Sequence, residues 1–463
     1  MQKWVTKTLV DYTMGTKFKD FPRRVIEKAK VLLLDNIGCS LGGSRSAIGD
    51  SVLTPFKRMG GSEEATLIGG GMKVPCIQAA FTNGTNANAL DFDDAYIANG
   101  IGHPGSSIIP AALAVGEYKQ ATGKQILTAI ITGYEVGNRI GLGIQPTHER
   151  LQKVWGVGTW QTFGAVVAAG KAMNLDTDQM FNAFGVAGAT APLPNTQKWG
   201  WDISERPIHW VKEPTGWPCW TGTLAATLAE NGFIGNRYIL DGENGFWIMA
   251  GSDQCDFDKM TAGLGKEYVV LNDMSFKPYS CCRWQHPALD CIQQIKQENK
   301  LGPDDIKEII INSFSWVKSQ EVYEPVSVID AQFCIPYTSA MVIMGYKPGP
   351  GWYTQENLDN KEIISLASKV RVNVDPELDK RYVQADELSA RVEVITRKNE
   401  SLDSFVKIPQ GDPRNPLSME EVEDKFRNQA SYVLDKKKTD QAIQMILDFD
   451  NLDTINELMA LLA

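Results

Sequence analysis

The stretch Ile306-Lys-Glu-Ile-Ile-Ile-Asn-Ser313 is rich in β-branched residues, whereas most of this chain of 463 residues has helical patterns. Such a run is typical of a buried strand. Similar runs predict strands at Glu267–Asn272, Lys369–Asp375 and Ala390–Thr396, with helical patterns between them at 284–299 and 329–345. Strands that alternate with helices in this way predict an α+β domain.

Helical patterns continue on both sides of this region. Pro22 opens a segment with apolar residues at helical spacing that closes at Gly42-Gly43, and the chain is helical again from Met419 to its end. Other helical patterns, rich in Ala and Gly, lie at 123–143, 160–173, 177–190 and 221–232. We therefore predict a mainly α fold with an α+β part. A large all-helical domain (1–267 and 408–463) is formed by both chain ends, and a smaller α/β domain (268–407) is inserted into it.

Composition limits the possible partners. The net charge of −10 argues against nucleic acid or an anionic membrane surface as the partner. No apolar run approaches the roughly 20 residues that span a bilayer, and the N-terminus lacks the apolar core of a signal peptide, so we expect a cytoplasmic protein. None of the eight cysteines forms a C-x-x-C pair. We expect reduced, mostly buried thiols.

The segment Ala89–Gly105 places an acid cluster close to one of only four histidines. The acid cluster consists of Asp91, Asp93 and Asp94. It ends a segment predicted to be helical from about Ile77, where the helix dipole disfavours negative charge. Pro104 fits the first position of the next helix, so His103 would lie at its capping position, where a positive helix end lowers a histidine pKa and attracts anions. The arrangement predicts proton chemistry on an anionic substrate.

Within the cluster we expect different roles. Asp91, predicted to lie one turn before Asp94 on the same helical face, is the catalytic candidate, and Asp93 and Asp94 would shape the linker. A dinucleotide site at Gly100-Ile-Gly-His-Pro-Gly105 is disfavoured, because no buried strand precedes this motif and no acid follows about 20 residues later. A metal ion on the three carboxylates is the weaker alternative. We predict no cofactor and no metal.

A cationic constellation lies at the predicted domain junction, where ligand sites are common. Lys277, Arg283 and His286 fall within ten residues, flanked by tyrosine, tryptophan and cysteine. The aromatic and cysteine residues favour a partly buried loop over a solvated basic turn, and buried cations need anionic partners. We therefore expect Arg283 and His286 to bind substrate.

Two further residues are candidates on their own surroundings. Lys212 lies in a tryptophan-rich stretch, where low polarity would depress its pKa, although it could equally pack its stem over a tryptophan. Tyr337 lies on the predicted helical segment Cys334–Met344 and fits a core tyrosine as well as a catalytic one.

The chain resembles the MmgE/PrpD family, which includes 2-methylcitrate dehydratase, cis-aconitate decarboxylase and iminodisuccinate epimerase. The resemblance spans nearly the whole chain and rests on motifs in a common order. These are Leu90-Asp-Phe-Asp-Asp94, His103-Pro104, Gly133-Tyr-Glu135, Lys277-Pro-Tyr-Ser-Cys-Cys-Arg-Trp-Gln-His-Pro287 and Gly411-Asp-Pro-Arg-Asn-Pro416.

The resemblance implies that the smaller domain is a lid and that the active site lies in the cleft beneath it. It also implies a homodimer that needs neither a metal nor an organic cofactor. The catalytic residues that it implies are Asp91, His103, Lys212, Lys277 and Tyr337.

Two departures from the decarboxylase branch bear on the substrate. Ala95 stands where that branch has threonine, and Trp155 stands where it has a second active-site histidine. A tryptophan cannot shuttle a proton, so we expect Ala95 and Trp155 to shape the pocket for a different substrate.

Our leading hypothesis is a cofactor-independent hydro-lyase that dehydrates a hydroxy di- or tricarboxylate of the 2-methylcitrate kind. The alternative is an epimerase of a dicarboxylate such as iminodisuccinate, which abstracts the same α-proton. A decarboxylase of the cis-aconitate type is less favoured, and a non-catalytic binding protein is the third class.

Overall fold

The computed structural model describes residues 4–97, 102–151, 153–196, 206–208 and 215–463. Gly100 of the glycine motif and the candidate Lys212 lie outside these residues. No helix within the described ranges is long and apolar enough to cross a bilayer.

Helices dominate the first part of the chain. They are α1 (Val5–Gly15), α2 (Arg23–Gly43), α3 (Ala47–Met59), α4 (Cys76–Asn88), α5 (Pro104–Tyr118), α6 (Gly123–Gly143), α7 (His148–Leu151), α8 (Val157–Ala172), α9 (Thr177–Thr190), α10 (Gly216–Glu230), α11 (Phe246–Met249) and α12 (Val269–Asn272). Short strands lie between them: β1 (Ala65–Leu67), β2 (Met72–Val74), β3 (Ala95–Tyr96), β4 (Val154–Trp155), β5 (Asn195–Thr196) and β6 (Met274–Ser275).

The second part alternates strands with helices and ends in helices. The helices are α13 (His286–Asn299), α14 (Ser315–Lys318), α15 (Val328–Gln332), α16 (Ile335–Met344), α17 (Gln355–Leu358), α18 (Lys361–Ala367), α19 (Pro376–Ala385), α20 (Met419–Ala430), α21 (Lys436–Leu447) and α22 (Asn456–Leu461). The strands are β7 (Ile306–Ser313), β8 (Val370–Val374), β9 (Ala390–Thr396) and β10 (Ser401–Val406). The predicted mainly α fold with an α+β part is confirmed.

Capping residues and small residues account for the long helices. Thr122 caps α6 in a reciprocal pair with Gln125, in which each side chain accepts from the other residue's backbone N–H. Small residues then let helices approach closely: a Cβ at Gly133 of α6 would lie 2.9 Å from the carbonyl oxygen of Gly164 on α8. Both ends of the chain join this helical core, because α20 and α21 pack on α2.

A four-stranded sheet organises the α/β part, in the order β10-β9-β7-β8. β7 runs parallel to β8 and antiparallel to β9, and β10 completes the edge beside β9. Helix α13 packs against β9 and β10, and α16 packs against α13 and α18. The buried faces of these elements form a second core, which also takes in Leu90 and Phe92 from the helical part. The division at 267 and 407 stays a prediction, because the first core also takes in Tyr268, Met274 and Phe276.

Two predictions of secondary structure were wrong or incomplete. Glu267–Asn272 was predicted as a strand, but Val269–Asn272 is the short helix α12, and the strand β6 begins two residues later. Short apolar runs do not distinguish a buried helical turn from a strand. Strand β10 was missed, because every second residue is exposed and its run contains three polar residues.

Candidate active site

The acid cluster lies in a loop, not on a helix. Helix α4 ends at Asn88, and Asp91 has a φ of 51°, in the left-handed region that residues other than glycine seldom adopt. The predicted placement of Asp91 and Asp94 on one helical face was therefore wrong. The loop leaves the helix and inserts Leu90 and Phe92 into the second core, with Asp91 between them and Asp93 directly after Phe92.

A small antiparallel pairing brings the remaining residues to this loop. Ala95 of β3 lies opposite Ser275 of β6, and on the other side Tyr96 exchanges backbone hydrogen bonds with Gly102. Lys277 follows β6 by two residues and His103 follows Gly102. Residues 186 positions apart in the chain, Asp91 and Lys277, thus meet in one site.

Lys277 neutralises Asp91. Its ammonium donates to Asp91 Oδ1 at 2.6 Å and to the Asp91 carbonyl at 3.0 Å. Both residues are almost fully buried, with exposures of 1% and 2%. A buried charge pair of this kind is costly to break, because removal of one partner leaves the other charge uncompensated.

His103 lies between two aspartates at the start of α5. It occupies the N-cap position, as predicted. Its Nδ1 is 3.2 Å from Asp93 Oδ1, and its Nε2 is 3.9 Å from Asp91 Oδ1. Asp93 also accepts from Asn88 Nδ2 at 2.9 Å and from the Ser106 hydroxyl. Burial alone would raise the pKa of Asp93, but the His103 imidazole, with Lys277 and Ser106, holds it below its ordinary value.

Asp93 is therefore the acid nearest to Nδ1 of the histidine, a position that we had not predicted. A carboxylate beside Nδ1 favours the tautomer in which Nε2 is the proton-accepting atom. The sequence signal was present, since Asp93 lies in the same motif, but a loop with a left-handed residue has no side-chain periodicity from which to choose among the three acids.

Asp94 faces away from this pair. Its Oδ2 accepts from the Tyr134 hydroxyl at 2.8 Å. Gly105, at the start of α5, lies so close to Asp94 that a Cβ there would meet its Oδ1 at 2.0 Å. Burial, and then the negative charge of Asp93, raise the pKa of Asp94 to about 7.

The predicted substrate-binding residues Arg283 and His286 are also buried. Arg283 Nη2 pairs with Asp412 Oδ2 at 3.3 Å, while Arg283 Nε and Nη1 find no acceptor among the described residues. Burial, against the opposing effect of Asp412, lowers the pKa of Arg283 to about 10, so the guanidinium stays charged. His286 contacts the Cys281 carbonyl through Nε2 at 3.2 Å, and burial first, then the Arg283 charge, lower its pKa well below the ordinary value.

Two buried residues next to the acid cluster, Lys425 and Asp35, were not predicted from the sequence. Lys425 of α20 donates to the carbonyl of Phe92 and pairs with Asp35 Oδ1, each at 2.6 Å. A signal for Lys425 existed: it stands three residues after buried Val422 and four before buried Gln429, on the face of α20 that enters the core. Asp35 is likewise the one acidic residue in the mainly apolar run 31–43 of α2.

The site offers donor atoms for a cation. Asp91, Asp93 and His103 each place one ligand atom within 4.8 Å of the others. However, the Lys277 ammonium already supplies positive charge at Asp91 Oδ1, and a divalent cation would have to displace it. The absence of a metal stays a prediction on this charge argument.

Comparison with known proteins identifies the family. The MmgE/PrpD N-terminal domain model matches residues 7–257, and the MmgE/PrpD C-terminal domain model matches residues 279–451. The chain belongs to the MmgE/PrpD family. The resemblance seen in the sequence motifs is thereby confirmed.

Named MmgE/PrpD relatives include two kinds of lyase. The chain is 25% identical to cis-aconitate decarboxylase of Aspergillus terreus, over 99% of this chain and 96% of the relative. It is 24% identical to human cis-aconitate decarboxylase, over 100% of this chain and 95% of the relative. It is 22% identical to 2-methylcitrate dehydratase of Escherichia coli, over 81% of this chain and 78% of the relative.

The other candidate residues in the described part of the chain, Tyr337, Trp155 and Ala95, are all buried. Tyr337 is buried on α16, and its hydroxyl donates to the Trp352 carbonyl. Trp155 is buried in β4, opposite Asn195 of β5. Ala95 is buried in the β3–β6 pairing that joins the acid cluster to Lys277. Their roles stay proposals, as does that of Lys212.

Proposed function

We propose that this member of the MmgE/PrpD family is a lyase that removes a proton next to a carboxylate of a small polycarboxylate. The observation that carries the proposal is the pairing of Lys277 with Asp91 beside the pairing of Asp93 with His103. One buried site thus combines a proton acceptor, a shared proton and fixed positive charge. The names of the relatives, which are lyases of carboxylates, support the same class.

Removal of a proton next to a carboxylate requires fixed positive charge and a base. A carbon next to a carboxylate is a very weak acid, so the negative charge that develops on the substrate must be stabilised by fixed cations. We assign this to Arg283, whose two unbonded nitrogens offer donors, together with Lys277. His103 Nε2, with its ring held by Asp93, would accept the proton.

Dehydration is the form of this reaction that we favour. When the base takes the α-proton, the electron pair of the C–H bond forms a C=C bond and the C–O bond to the neighbouring hydroxyl breaks. The leaving hydroxide needs a proton, which the Lys277–Asp91 pair holds at a separation of 2.6 Å. The products are an unsaturated carboxylate and water, and the substrate is a hydroxy di- or tricarboxylate of the 2-methylcitrate kind.

Decarboxylation is the second candidate. It is favoured by the coverage of the relatives, since the cis-aconitate decarboxylases match 99–100% of this chain and the dehydratase 81%. Ala95 and Trp155 argue against it, because neither can donate the proton that a threonine or histidine would. The predicted homodimer and the cytoplasmic location stay predictions.

An assay in deuterated water separates these reactions. The enzyme is incubated with hydroxy tricarboxylates, with cis-aconitate and with iminodisuccinate, and products are followed by NMR. An unsaturated product with loss of water supports the dehydratase, and release of CO₂ supports the decarboxylase. Deuterium gain at the α-carbon without loss of either would support an epimerase, and no turnover or exchange with any acid would contradict the proposal.

A further inference from the structure

We propose that Lys425 is a positioning residue of the active site, which holds the backbone of the acid-cluster loop from the C-terminal helix α20. The inference rests on the proposed proton chemistry, since it assigns Lys425 a part in arranging that site. Lys425 does not contact the reacting pair itself. It acts through Phe92, the residue between Asp91 and Asp93.

The first observation is the set of contacts that Lys425 makes. Its ammonium lies 2.6 Å from the Phe92 carbonyl oxygen, 2.6 Å from Asp35 Oδ1 and 4.0 Å from the centre of the Phe92 ring. Its side chain is 6% exposed. A buried ammonium that binds a carboxylate, a carbonyl and an aromatic face has little freedom to move. It therefore restrains the loop whose carbonyl it binds.

The second observation is that two successive carbonyls of the loop are bound by lysines from distant parts of the chain. Lys277 binds the carbonyl of Asp91 and Lys425 binds the carbonyl of Phe92. Asp91, whose carbonyl makes the first of these contacts, has a φ of 51°. A non-glycine residue stays in the left-handed region only when its surroundings hold it there. The Asp91 backbone N–H donates to the Asn88 carbonyl at 2.9 Å, and the two ammonium groups hold the loop from the other side of Asp91.

The third observation is electrostatic. Burial disfavours the Lys425 ammonium, but Asp35, and more weakly Cys39 and Asp93, raise its pKa above the ordinary value, so it stays charged. The Lys425 charge therefore acts on Asp93, which in turn orients His103. Other charged groups around this layer are Asp94, Lys277 and Lys28 of α2, whose pKa burial lowers to about 8.

The chain provides a matched control. Lys30 of α2 is also buried, at 2% exposure. It pairs with Asp450, lies 3.5 Å from Glu27 Oε1 and donates to the carbonyl of Leu447 at 2.9 Å. It therefore copies the chemistry of Lys425 at a place where the carbonyl does not belong to the acid cluster. Lys425→Met and Lys30→Met each remove one such ammonium.

Both variants should lose thermal stability, because each removes a buried ammonium from a buried aspartate. Lys30→Met should lose less, because Asp450 keeps its contact with Arg23 Nη1 at 3.3 Å. Only Lys425→Met should lower kcat, by on the order of 10- to 100-fold with a smaller change in KM, because the reacting groups are displaced. Its His103 pKa, followed by NMR among only four histidines, should rise, because a nearby positive charge is lost. Lys425→Arg, which keeps the charge, should recover part of kcat.

The double variant Asp35→Asn/Lys425→Met removes both charges and provides a folded protein if the single variant is too unstable. The inference is overturned if Lys425→Met, or this double variant, keeps kcat within twofold of Lys30→Met and has the same His103 pKa. The NMR titration needs no substrate. It therefore tests Lys425 even if the wild-type protein turns over none of the carboxylates, which would contradict the proposed function instead.

Discussion

Asp94 is a buried carboxyl whose charge changes near neutral pH. In the folded protein its pKa is about 7, raised by burial and by Asp93, whereas an unfolded aspartate titrates near 4. The folded state therefore binds an extra proton between these values. By linkage, the contribution of Asp94 to stability is fully present below about pH 4 and is lost as the pH rises through about 7.

Replacement of Asp94 by asparagine should remove this pH dependence. The variant keeps an acceptor for the Tyr134 hydroxyl but cannot ionise, so its free energy of unfolding relative to wild type should increase from pH 5 to pH 8, by up to about 3 kcal/mol. Urea titrations at several pH values measure it. Asp178→Asn, at a carboxylate that is 79% exposed, serves as the control. Parallel stability curves for Asp94→Asn and wild type would show that Asp94 does not titrate in this range.

The sequence singled out residues that the structure brings together, but it did not predict their geometry. Asp91, His103, Lys277, Arg283 and His286 were singled out from their composition and spacing. Asp91 Oδ1 lies 2.6 Å from Lys277 Nζ and 3.9 Å from His103 Nε2. The role of Asp93 was not predictable, because the φ of Asp91 decides which carboxylate faces the imidazole. Long-range partners such as Lys425 depend on tertiary packing.

Among the elements, the short strand β6 positions the site. The segment after it is fixed by Gly411, whose carbonyl accepts from the Phe276 backbone N–H at 2.9 Å. Gly411 has a φ of 85°, and a Cβ on it would lie 1.8 Å from the Phe276 carbonyl oxygen. The chain thus needs glycine there for two independent reasons.

Gly411→Ala should destabilise the protein by more than about 3 kcal/mol, since it adds a backbone clash to the strain of a positive φ. Because Phe276 precedes Lys277, kcat/KM should also fall. Gly71→Ala is the matched control: its φ is 69°, and a Cβ there meets nothing within 4 Å, so it should cost about 1 kcal/mol. Chemical denaturation compares the two. Equal losses of stability would mean that the close approach to Phe276 does not constrain the segment.

Long elements were predictable because their patterns are long. The predicted range 123–143 coincides with α6, and Ile306–Ser313 coincides with β7. The errors fall on short elements, α12 and β10, where a few residues are consistent with either a strand or a helical turn and only the neighbouring elements decide.

For the whole molecule, the return of the chain to its first part has a functional consequence. The helical part supplies the acid cluster and His103, the α/β part supplies Lys277 and Arg283, and the last helices supply Lys425. Asp412, in the connection between the α/β part and α20, pairs with Arg283. The candidate site therefore contains residues from all three segments of the chain.

In the proposed reaction, groups from the two parts of the chain act together in one proton transfer. The rate at which the protein exchanges the α-hydrogen of its carboxylate substrate with deuterated water, or converts it to product, tests this most directly. His103→Asn and Lys277→Met should each lower this rate by on the order of 10² to 10⁴, while Lys30→Met remains close to wild type. A folded His103→Asn variant that retains full exchange and turnover would contradict a role of His103 in the proton transfer.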